Sequence, residues 1–280
     1  MAELPASPVI VLTGATGVIG GATAVVLAKA GATLILPARD QGRAVEVRSS
    51  IVQQVPNARI EIVPCDLASL RSVRSAAASI RAAHPNLTGL IHCAGVFTRT
   101  RRTSPDGFEL VLATNHLGPF LLTEELLTVL EAGAPSRVIT VSAPSTSVVN
   151  FGDIQSARGF NAYNVYGASK MANLLFAFEL ARRLAGTGVT SNVFYPGPVK
   201  STLLREASWF VRGLAGLGAT PPGEAGAALA WLALDPSLVG VSGRFYRLRV
   251  PRATTQYAHT PKIQQRLWEV SEQLVSTAGN

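Results

Sequence analysis

Cysteine and charged side chains are scarce in this chain of 280 residues, and their scarcity excludes several classes of protein. The two cysteines, Cys65 and Cys93, lie in apolar stretches typical of strands, which leaves almost no support for a disulfide framework or a zinc site. No apolar segment reaches the roughly 18 residues that span a membrane. The N-terminal sequence also lacks the basic segment of a signal peptide. We therefore expect a cytoplasmic protein with no transmembrane segment and no bound metal.

The charges that are present are unbalanced: 25 Lys and Arg residues stand against 17 Asp and Glu residues, a formal net charge of +8. Such an excess suits nucleic acid, a membrane surface or a phosphorylated small molecule. The basic residues are scattered, except for the run RTRR at 99–102, which is typical of a solvated loop. We therefore expect a small-molecule partner and no nucleic acid.

Short aliphatic stretches alternate with longer Ala-rich or Leu-rich stretches along the chain. With 48% apolar residues, this length is compatible with one compact domain. The alternation predicts an α/β fold, a single doubly wound domain over residues 1–280 with a central parallel sheet flanked by helices on both faces. The predicted strands are 9–13, 33–38, 59–64, 89–94, 137–142 and 189–196, and the predicted helices include 18–30 and 119–131.

Three glycines follow the first predicted strand, in the stretch VIVLTGATGVIGGATAVVLAKAGA. Without a Cβ, Gly14 permits a tight turn, Gly17 lets the backbone approach a diphosphate, and Gly20 lets the following helix pack on the strand. The position between a strand and a helix favours a dinucleotide site over glycines that serve only a turn.

The end of the second predicted strand, LILPARD, indicates which dinucleotide is bound. Ala38 stands where an acidic residue would hold a free ribose 2′-hydroxyl, and Arg39 suits a 2′-phosphate. NADP(H) is therefore favoured over NAD(H), unless Arg39 is an ordinary surface arginine. After the third strand, Asp66 is placed either to accept from the adenine amino group or to cap the next helix.

Tyr166 and Lys170 lie four residues apart in NAYNVYGASKMANLLFAFELARRL, a predicted helix. This spacing places them on one face, where the ammonium is expected to lower the pKa of the phenol. The residue four positions after Tyr163 is Gly167, so only Tyr166 has a lysine partner. A phenol of this kind can donate a proton to a carbonyl oxygen or accept one from an alcohol.

The chain resembles the short-chain dehydrogenases/reductases, and more closely their retinol-dehydrogenase-like branch. The stretches that carry the resemblance are TGATGVIG, CDLASLRSV, DGFELVLATNHLGPFLLTEELL, YGASKMANLLFAFELARRLAGTGVT, YPGPVKSTL and KIQQRLWEVSEQL. The resemblance implies a Rossmann fold and hydride transfer between NADPH and a carbonyl. The resemblance also implies that Tyr166 is the proton donor, that Lys170 holds the nicotinamide ribose, and that Asn115 belongs to a proton-relay water chain. It further implies contacts to the cofactor from Thr13, Thr16, Val18, Ile19, Leu67, Ala94, Gly95, Pro196, Gly197, Val199 and Thr202.

Two departures from the family pattern concern the cofactor site. The glycine loop reads T-G-x-x-G-x-x-G, whereas this branch typically has T-G-x-x-x-G-x-G. After the fourth strand the usual Asn-Asn-Ala-Gly is replaced by His92, Cys93, Ala94 and Gly95. We expect backbone contacts to the cofactor to survive, but not the side-chain bonds that tie the fourth strand to its neighbours. His92 is expected to be structural, since a buried, hydrogen-bonded histidine is commoner than a catalytic one.

A third departure concerns the substrate oxygen. The usual Ser-Ser pair after the fifth strand reads Ser142 and Ala143, and the second of the pair normally hydrogen-bonds the substrate. Ser145 is the first candidate to replace it, followed by Ser142 and Ser147. Alternatively, Ser142 and Ser145 only satisfy backbone groups, and the enzyme performs a redox-neutral cyclisation, dehydration or isomerisation of a secondary metabolite. A non-catalytic cofactor-binding protein is the third reading.

The segment 198–222 contains an apolar stretch at roughly helical spacing, which is either a lid over the substrate or part of the core. As a lid it predicts a bulky apolar carbonyl or alcohol substrate. A C-terminal helix is expected over about 260–276, and homodimerisation is possible for the family the chain resembles. The apolar residues of the 198–222 stretch are Trp209, Phe210, Val211, Leu214 and Leu217.

Overall fold

The computed structural model describes residues 7–199 and 219–277, and within them one mixed sheet organises the chain. Its strands are β1 (Val9–Thr13), β2 (Thr33–Ala38), β3 (Arg59–Pro64), β4 (Gly89–His92), β5 (Ser136–Val141), β6 (Val189–Tyr195), β7 (Phe245–Arg247) and β8 (Val250–Arg252). Their order in the sheet is β3-β2-β1-β4-β5-β6-β7-β8. All neighbours pair in parallel except β7 and β8, which form an antiparallel hairpin at one edge.

Helices cover both faces of the sheet, because successive residues of a strand point to opposite faces. The helices are α1 (Val18–Lys29), α2 (Gln41–Gln54), α3 (Leu70–Ala83), α4 (Leu110–Leu112), α5 (Gly118–Ala132), α6 (Ala162–Arg183), α7 (Pro222–Leu234) and α8 (Pro261–Thr277), with a π turn at Ala113–Leu117 between α4 and α5. Val11 packs into a core shared with α3, α5 and α8, whereas Ile10 and Leu12 pack into the opposite core with α1 and α7. The predicted doubly wound α/β fold is confirmed.

The order of the strands reverses between β1 and β4. After β1 the chain proceeds outward through β2 and β3, and it then returns to place β4, β5 and β6 on the other side. In open α/β sheets, a crevice forms at the carboxyl ends of the strands where the order reverses, and ligands bind there. The glycine loop after β1 and the Ala94–Gly95 pair after β4 therefore border the same crevice.

The predicted lid lies almost wholly outside the described residues, and so does Thr202. Of its flanks, Thr220 donates its backbone N–H to the carbonyl oxygen of Pro198 at 2.7 Å. No helix in the described ranges has both the length and the apolar character needed to cross a membrane. The same ranges hold no cluster of three or more His, Cys, Asp or Glu side chains suited to a metal ion.

Candidate active site

The glycine loop forms a tight turn against the start of α1. Gly14 has φ +72°, and a Cβ built on it would lie 2.6 Å from the backbone nitrogen of Ala94. A Cβ on Gly20 would lie 2.2 Å from the carbonyl oxygen of Gly14. Gly17 precedes α1 and provides no side-chain cap, so the N–H groups of the first turn of α1 can receive a phosphate. The loop therefore fits a dinucleotide diphosphate despite its altered glycine spacing.

The ends of β1 and β4 are joined by the buried hydroxyl of Thr13. Its Oγ1 accepts the backbone N–H groups of Cys93 at 3.1 Å and Ala94 at 3.3 Å, and donates to the carbonyl oxygen of Ile91. The expectation that β4 loses its side-chain ties was therefore wrong. Thr13, on the neighbouring strand β1, makes these bonds.

His92 provides a second tie, from β4 to α5. Its Nε2 lies 2.8 Å from Thr123 Oγ1, whose hydroxyl donates to the carbonyl oxygen of Pro119. Since that hydroxyl proton is already used, the imidazole donates and is a neutral Nε2–H tautomer. Burial lowers the pKa of His92 to about 3, so the ring stays neutral and has a structural role.

Two side chains lie where the adenosine half of a dinucleotide is expected. Arg39 is exposed directly after β2, while Asp40 Oδ1 caps α2 by accepting the N–H of Arg43. Asp66 Oδ1 accepts the N–H of Ala68 in a local turn. The alternative that Asp66 caps the next helix was wrong, because Ser69 is the cap of α3.

Tyr166 and Lys170 lie together on α6, near Gly95. Lys170 Nζ is 5.4 Å from the centroid of the Tyr166 ring, and a Cβ on Gly95 would lie 3.7 Å from Lys170 Nζ. Phe97 packs edge-on against Tyr166, with ring centroids 5.7 Å apart. Tyr163, also against Phe97, is 46% exposed, whereas Tyr166 is part-buried beside the crevice.

The electrostatics of this pair differ from the sequence prediction. Burial, with a smaller contribution from Tyr195, raises the pKa of Tyr166 to about 12. Burial also lowers the pKa of Lys170 to about 8, against a smaller opposite effect of Cys93. The predicted lowering of the phenol pKa was therefore wrong, because removal from water penalises both charged forms more than the ammonium over the ring favours the phenolate.

Asn115 lies in the π turn, and protein atoms hold it on several sides. Its Oδ1 accepts the N–H of Val96 at 2.8 Å, and its Nδ2 donates to the Val96 carbonyl oxygen and to Ser169 Oγ, both at 3.0 Å. The Asn173 side-chain amide, oriented to satisfy its neighbours, donates to the carbonyl oxygen of Asn115 at 2.7 Å. A π turn is frequent at functional sites, and this one presents Asn115 to α6 beside Lys170.

The serines after β5 differ in how their hydroxyl protons are used. Ser142 Oγ donates to the carbonyl oxygen of Lys170 at 2.9 Å, and Ser145 Oγ donates to that of Gly167 at 2.8 Å. Both therefore satisfy backbone groups of α6, as one of the two sequence interpretations proposed. Ser147 makes no side-chain hydrogen bond within the described residues, and its Oγ would lie 2.2 Å from a Cβ on Gly167.

Sequence reasoning did not identify three supporting residues. Ser169 and Asn173 are hydrogen-bonded to Asn115, and Thr123 is hydrogen-bonded to His92. All three are polar residues buried within helices, and this unusual placement is the signal that could have found them. Where β6 ends, Pro196 and Gly197 lie at the same edge of the sheet, followed by Val199. Gly197 has φ +81°.

Comparisons with known proteins identify the family of the chain. The profile of the short chain dehydrogenase family matches residues 8–209. Mouse retinol dehydrogenase 14 is 37% identical over 95% of this chain and 85% of its own length, and mouse polyprenol dehydrogenase is 38% identical over 99% and 87%. A structure described as an NAD(P)-dependent gluconate 5-dehydrogenase from Beutenbergia cavernae, with NADP at low occupancy, superposes with a TM-score of 0.70 at 25% identity, covering 86% of this chain and 94% of that one.

Proposed function

Because the chain belongs to the short-chain dehydrogenase/reductase family and is similar to its retinol dehydrogenases, we propose that it is an NADP(H)-dependent oxidoreductase. It exchanges hydride between NADPH and the carbonyl or alcohol carbon of a bulky apolar substrate. The observation that carries the proposal is the convergence of Tyr166, Lys170 and Asn115 near Gly95, at the crevice that the glycine loop borders. The similarity to enzymes named for retinol and polyprenol supports an apolar substrate.

The residues that would hold the dinucleotide are distributed along the crevice. The first turn of α1 receives the diphosphate, and Gly14 keeps the loop clear of Ala94. Arg39 is exposed and available to pair with a 2′-phosphate, which supports a preference for NADP(H). The carboxylate of Asp66 has oxygen lone pairs available for the adenine amino group. Pro196, Gly197 and Val199 would line the nicotinamide end.

The chemistry required of this chain is the delivery of one proton. Bound NADPH supplies the hydride. Tyr166 is protonated at neutral pH, because burial raises its pKa to about 12, and it donates its phenolic proton to the substrate oxygen. The ammonium of Lys170 would hold the nicotinamide ribose through its hydroxyls, and it stabilises the phenolate that results. Asn115, fixed by Val96 and Ser169, orders the water through which Lys170 exchanges its proton with solvent.

Ser147 is proposed as the hydroxyl that binds the substrate oxygen, instead of the residue at position 143. Ala143 has no donor, and the protons of Ser142 and Ser145 are used on carbonyl oxygens of α6. Ser147 packs against Gly167, the residue that follows Tyr166. A Cβ at this position would displace the Ser147 hydroxyl.

The same serines favour a second candidate function, redox-neutral chemistry on a secondary metabolite. If no hydroxyl meets the substrate oxygen, a hydride transfer loses a donor that is commonly worth about 100-fold to 1000-fold in turnover. Tyr166 and Lys170 could then serve acid–base steps alone. Product formation without consumption of NADPH would favour this candidate.

The first experiment is a calorimetric titration of the purified protein with NADPH, NADH, NADP and NAD. Tight binding of NADPH with weak binding of NADH is expected. A panel of bulky aldehydes and ketones then identifies turnover by loss of NADPH absorbance. Tyr166→Phe should abolish turnover while NADPH affinity changes little, and Tyr163→Phe is the matched control. Full activity of Tyr166→Phe would refute the assignment of the proton donor.

A further inference from the structure

A cavity of about 450 Å³ lies against the face of α6 opposite the catalytic pair. Val165, Ala168, Ser169 and Ala172 line it, and their spacing of three and four residues places them on one side of the helix. Tyr166 and Lys170 share the other side and do not line the cavity. Ser147, whose hydroxyl packs against Gly167, borders it from the loop after β5. A volume of this size is within the range of small-molecule sites, so the cavity is a second place where a ligand can bind.

The lining defines the chemistry of the occupant. One wall is apolar, with Leu112 from α4, Val149 from the loop after β5, and Leu267 from α8. The two acidic residues in the lining already use their oxygens on backbone N–H groups: Glu109 on Val111 and Leu112, Asp153 on Ala157 and Arg158. Among the described lining residues none is cationic. The remaining wall carries uncharged polar residues, among them Thr146, Ser147, Asn150, Ser156, Asn161 and Asn164. The cavity therefore suits an uncharged molecule with an apolar body and a hydroxyl group, and disfavours an anion.

Ser169 is the buried polar group through which such a molecule can be held. Its hydroxyl donates to the carbonyl oxygen of Tyr166 at 2.7 Å and accepts from Asn115 Nδ2 at 3.0 Å. One lone pair of Ser169 Oγ is left, and it can accept a hydrogen bond from a ligand hydroxyl. A ligand that donates to this lone pair would weaken the hydrogen bond that Ser169 Oγ accepts from Asn115 Nδ2.

A second connection between the cavity and Asn115 runs through Leu112. Leu112 lines the cavity and immediately precedes the π turn that carries Asn115. A ligand packed on Leu112 therefore contacts the backbone segment that positions Asn115. Ser169, in turn, is hydrogen-bonded to the Asn115 side chain.

We propose that this cavity is a regulatory site for an uncharged apolar alcohol, which lowers turnover by weakening the hold of Ser169 on Asn115. The effect on turnover rests on the proposed oxidoreductase function, whereas the binding itself does not. The alcohol is recognised by its hydroxyl at Ser169 and by its hydrocarbon on Leu112, Val149 and Leu267.

Binding is tested by calorimetry with 2-methyl-2-octanol, a tertiary alcohol that cannot be oxidised to a carbonyl, on protein saturated with NADPH. Saturable binding is expected, about fourfold tighter for each added methylene, hence about 16-fold tighter than 2-methyl-2-hexanol. Octanoate should bind at least tenfold more weakly. Absence of saturable binding, or equal affinity for octanoate, would overturn the proposal.

The location is tested by filling the cavity from α6. Ala168→Phe should weaken binding of 2-methyl-2-octanol by at least tenfold. Ala168→Leu, which adds a smaller side chain, should weaken it by a lesser factor. Ala162→Phe is the matched control, because Ala162 lies on the same helix outside the lining and should leave the affinity unchanged. Retained NADPH binding shows that each variant is folded. Undiminished alcohol binding by both Ala168 variants contradicts the assigned location.

Coupling is tested on turnover with an aldehyde substrate. Saturating 2-methyl-2-octanol should lower kcat by about fivefold, at the low end of couplings between sites, without competing with the aldehyde. Ser169→Ala should remove this response while alcohol binding stays within about tenfold. Competitive inhibition, or an undiminished response in Ser169→Ala, refutes the regulatory role. If turnover is absent with every substrate, the proposed function has failed, while the binding experiments still decide on the site.

Discussion

Replacement of Lys170 by methionine should stabilise the cofactor-free protein while removing its activity. Lys170 is 6% exposed, and the one hydrogen bond of its ammonium within the described residues is a long contact of 3.5 Å to the carbonyl oxygen of Val141. Burial therefore lowers its pKa from 10.5 to about 8. Methionine has a flexible apolar side chain that can fill this space without a charge.

The magnitude and its pH dependence follow from the two protonation states. A fall in pKa from 10.5 to about 8 corresponds to a penalty of about 3 kcal/mol on the folded state at neutral pH, where Lys170 is charged before and after unfolding. Between pH 8 and 10.5 the unfolded chain binds more protons than the folded one, so this penalty disappears as pH rises. The gain from Lys170→Met should be up to about 3 kcal/mol at pH 7 and close to zero near pH 10.5.

The assay is urea unfolding at several pH values, beside the control Lys29→Met, which removes an exposed lysine at the end of α1. NADPH binding provides a second readout, since the ribose hydroxyls would accept from the ammonium and raise the pKa of Lys170. Wild type should therefore take up protons on binding NADPH at pH 8, and Lys170→Met should not. Destabilisation by Lys170→Met at pH 7, or a gain equal to that of Lys29→Met, would refute the reasoning.

Three further substitutions test other parts of the crevice. Gly20→Ala places a methyl group 2.2 Å from the carbonyl oxygen of Gly14. It should lower the free energy of unfolding in urea by about 1–3 kcal/mol and weaken NADPH binding. The control is Gly223→Ala, whose new methyl group meets no neighbouring atom within 4 Å and which should stabilise the protein by about 0.5–1 kcal/mol. Arg39→Ala should weaken NADPH binding by about 10-fold to 100-fold and leave NADH binding unchanged, and Arg48→Ala should change neither. Ser147→Ala should lower kcat by about 100-fold at unchanged NADPH affinity, and full turnover would exclude Ser147 as a donor.

The central strands could be predicted from the sequence because each is an aliphatic stretch bounded by polar residues. Strand β1 was predicted with its observed bounds, and helix α1 was predicted to end one residue late. The hairpin of β7 and β8 was missed because each strand has three residues, too few for a recognisable alternation, and β8 contains Pro251. Its place at the sheet edge comes from pairing with β6, which no local pattern indicates.

The site was predicted less well wherever burial or the path of a loop decides the outcome. The spacing of Tyr166 and Lys170 indicates a shared helix face, but it does not indicate how much water surrounds them, and burial reversed the expected shift of the phenol pKa. Ser145 was the first candidate donor on sequence proximity alone. Its hydroxyl instead satisfies the carbonyl oxygen of Gly167, a contact that depends on how the loop after β5 crosses α6.

The raised pKa of Tyr166 gives the two directions of the proposed reaction opposite dependences on pH. Reduction of a carbonyl needs the protonated phenol, which is the dominant form at every pH below about 12, so kcat for reduction should vary little between pH 6 and 8. Oxidation of an alcohol needs the phenolate, whose fraction rises tenfold with each pH unit in this range. Initial rates with matched aldehyde and alcohol at saturating cofactor measure both slopes. A plateau of the oxidation rate near pH 7 would show that the bound cofactor and Lys170 lower the phenol pKa far below its buried value, and would refute the expected opposite dependences on pH.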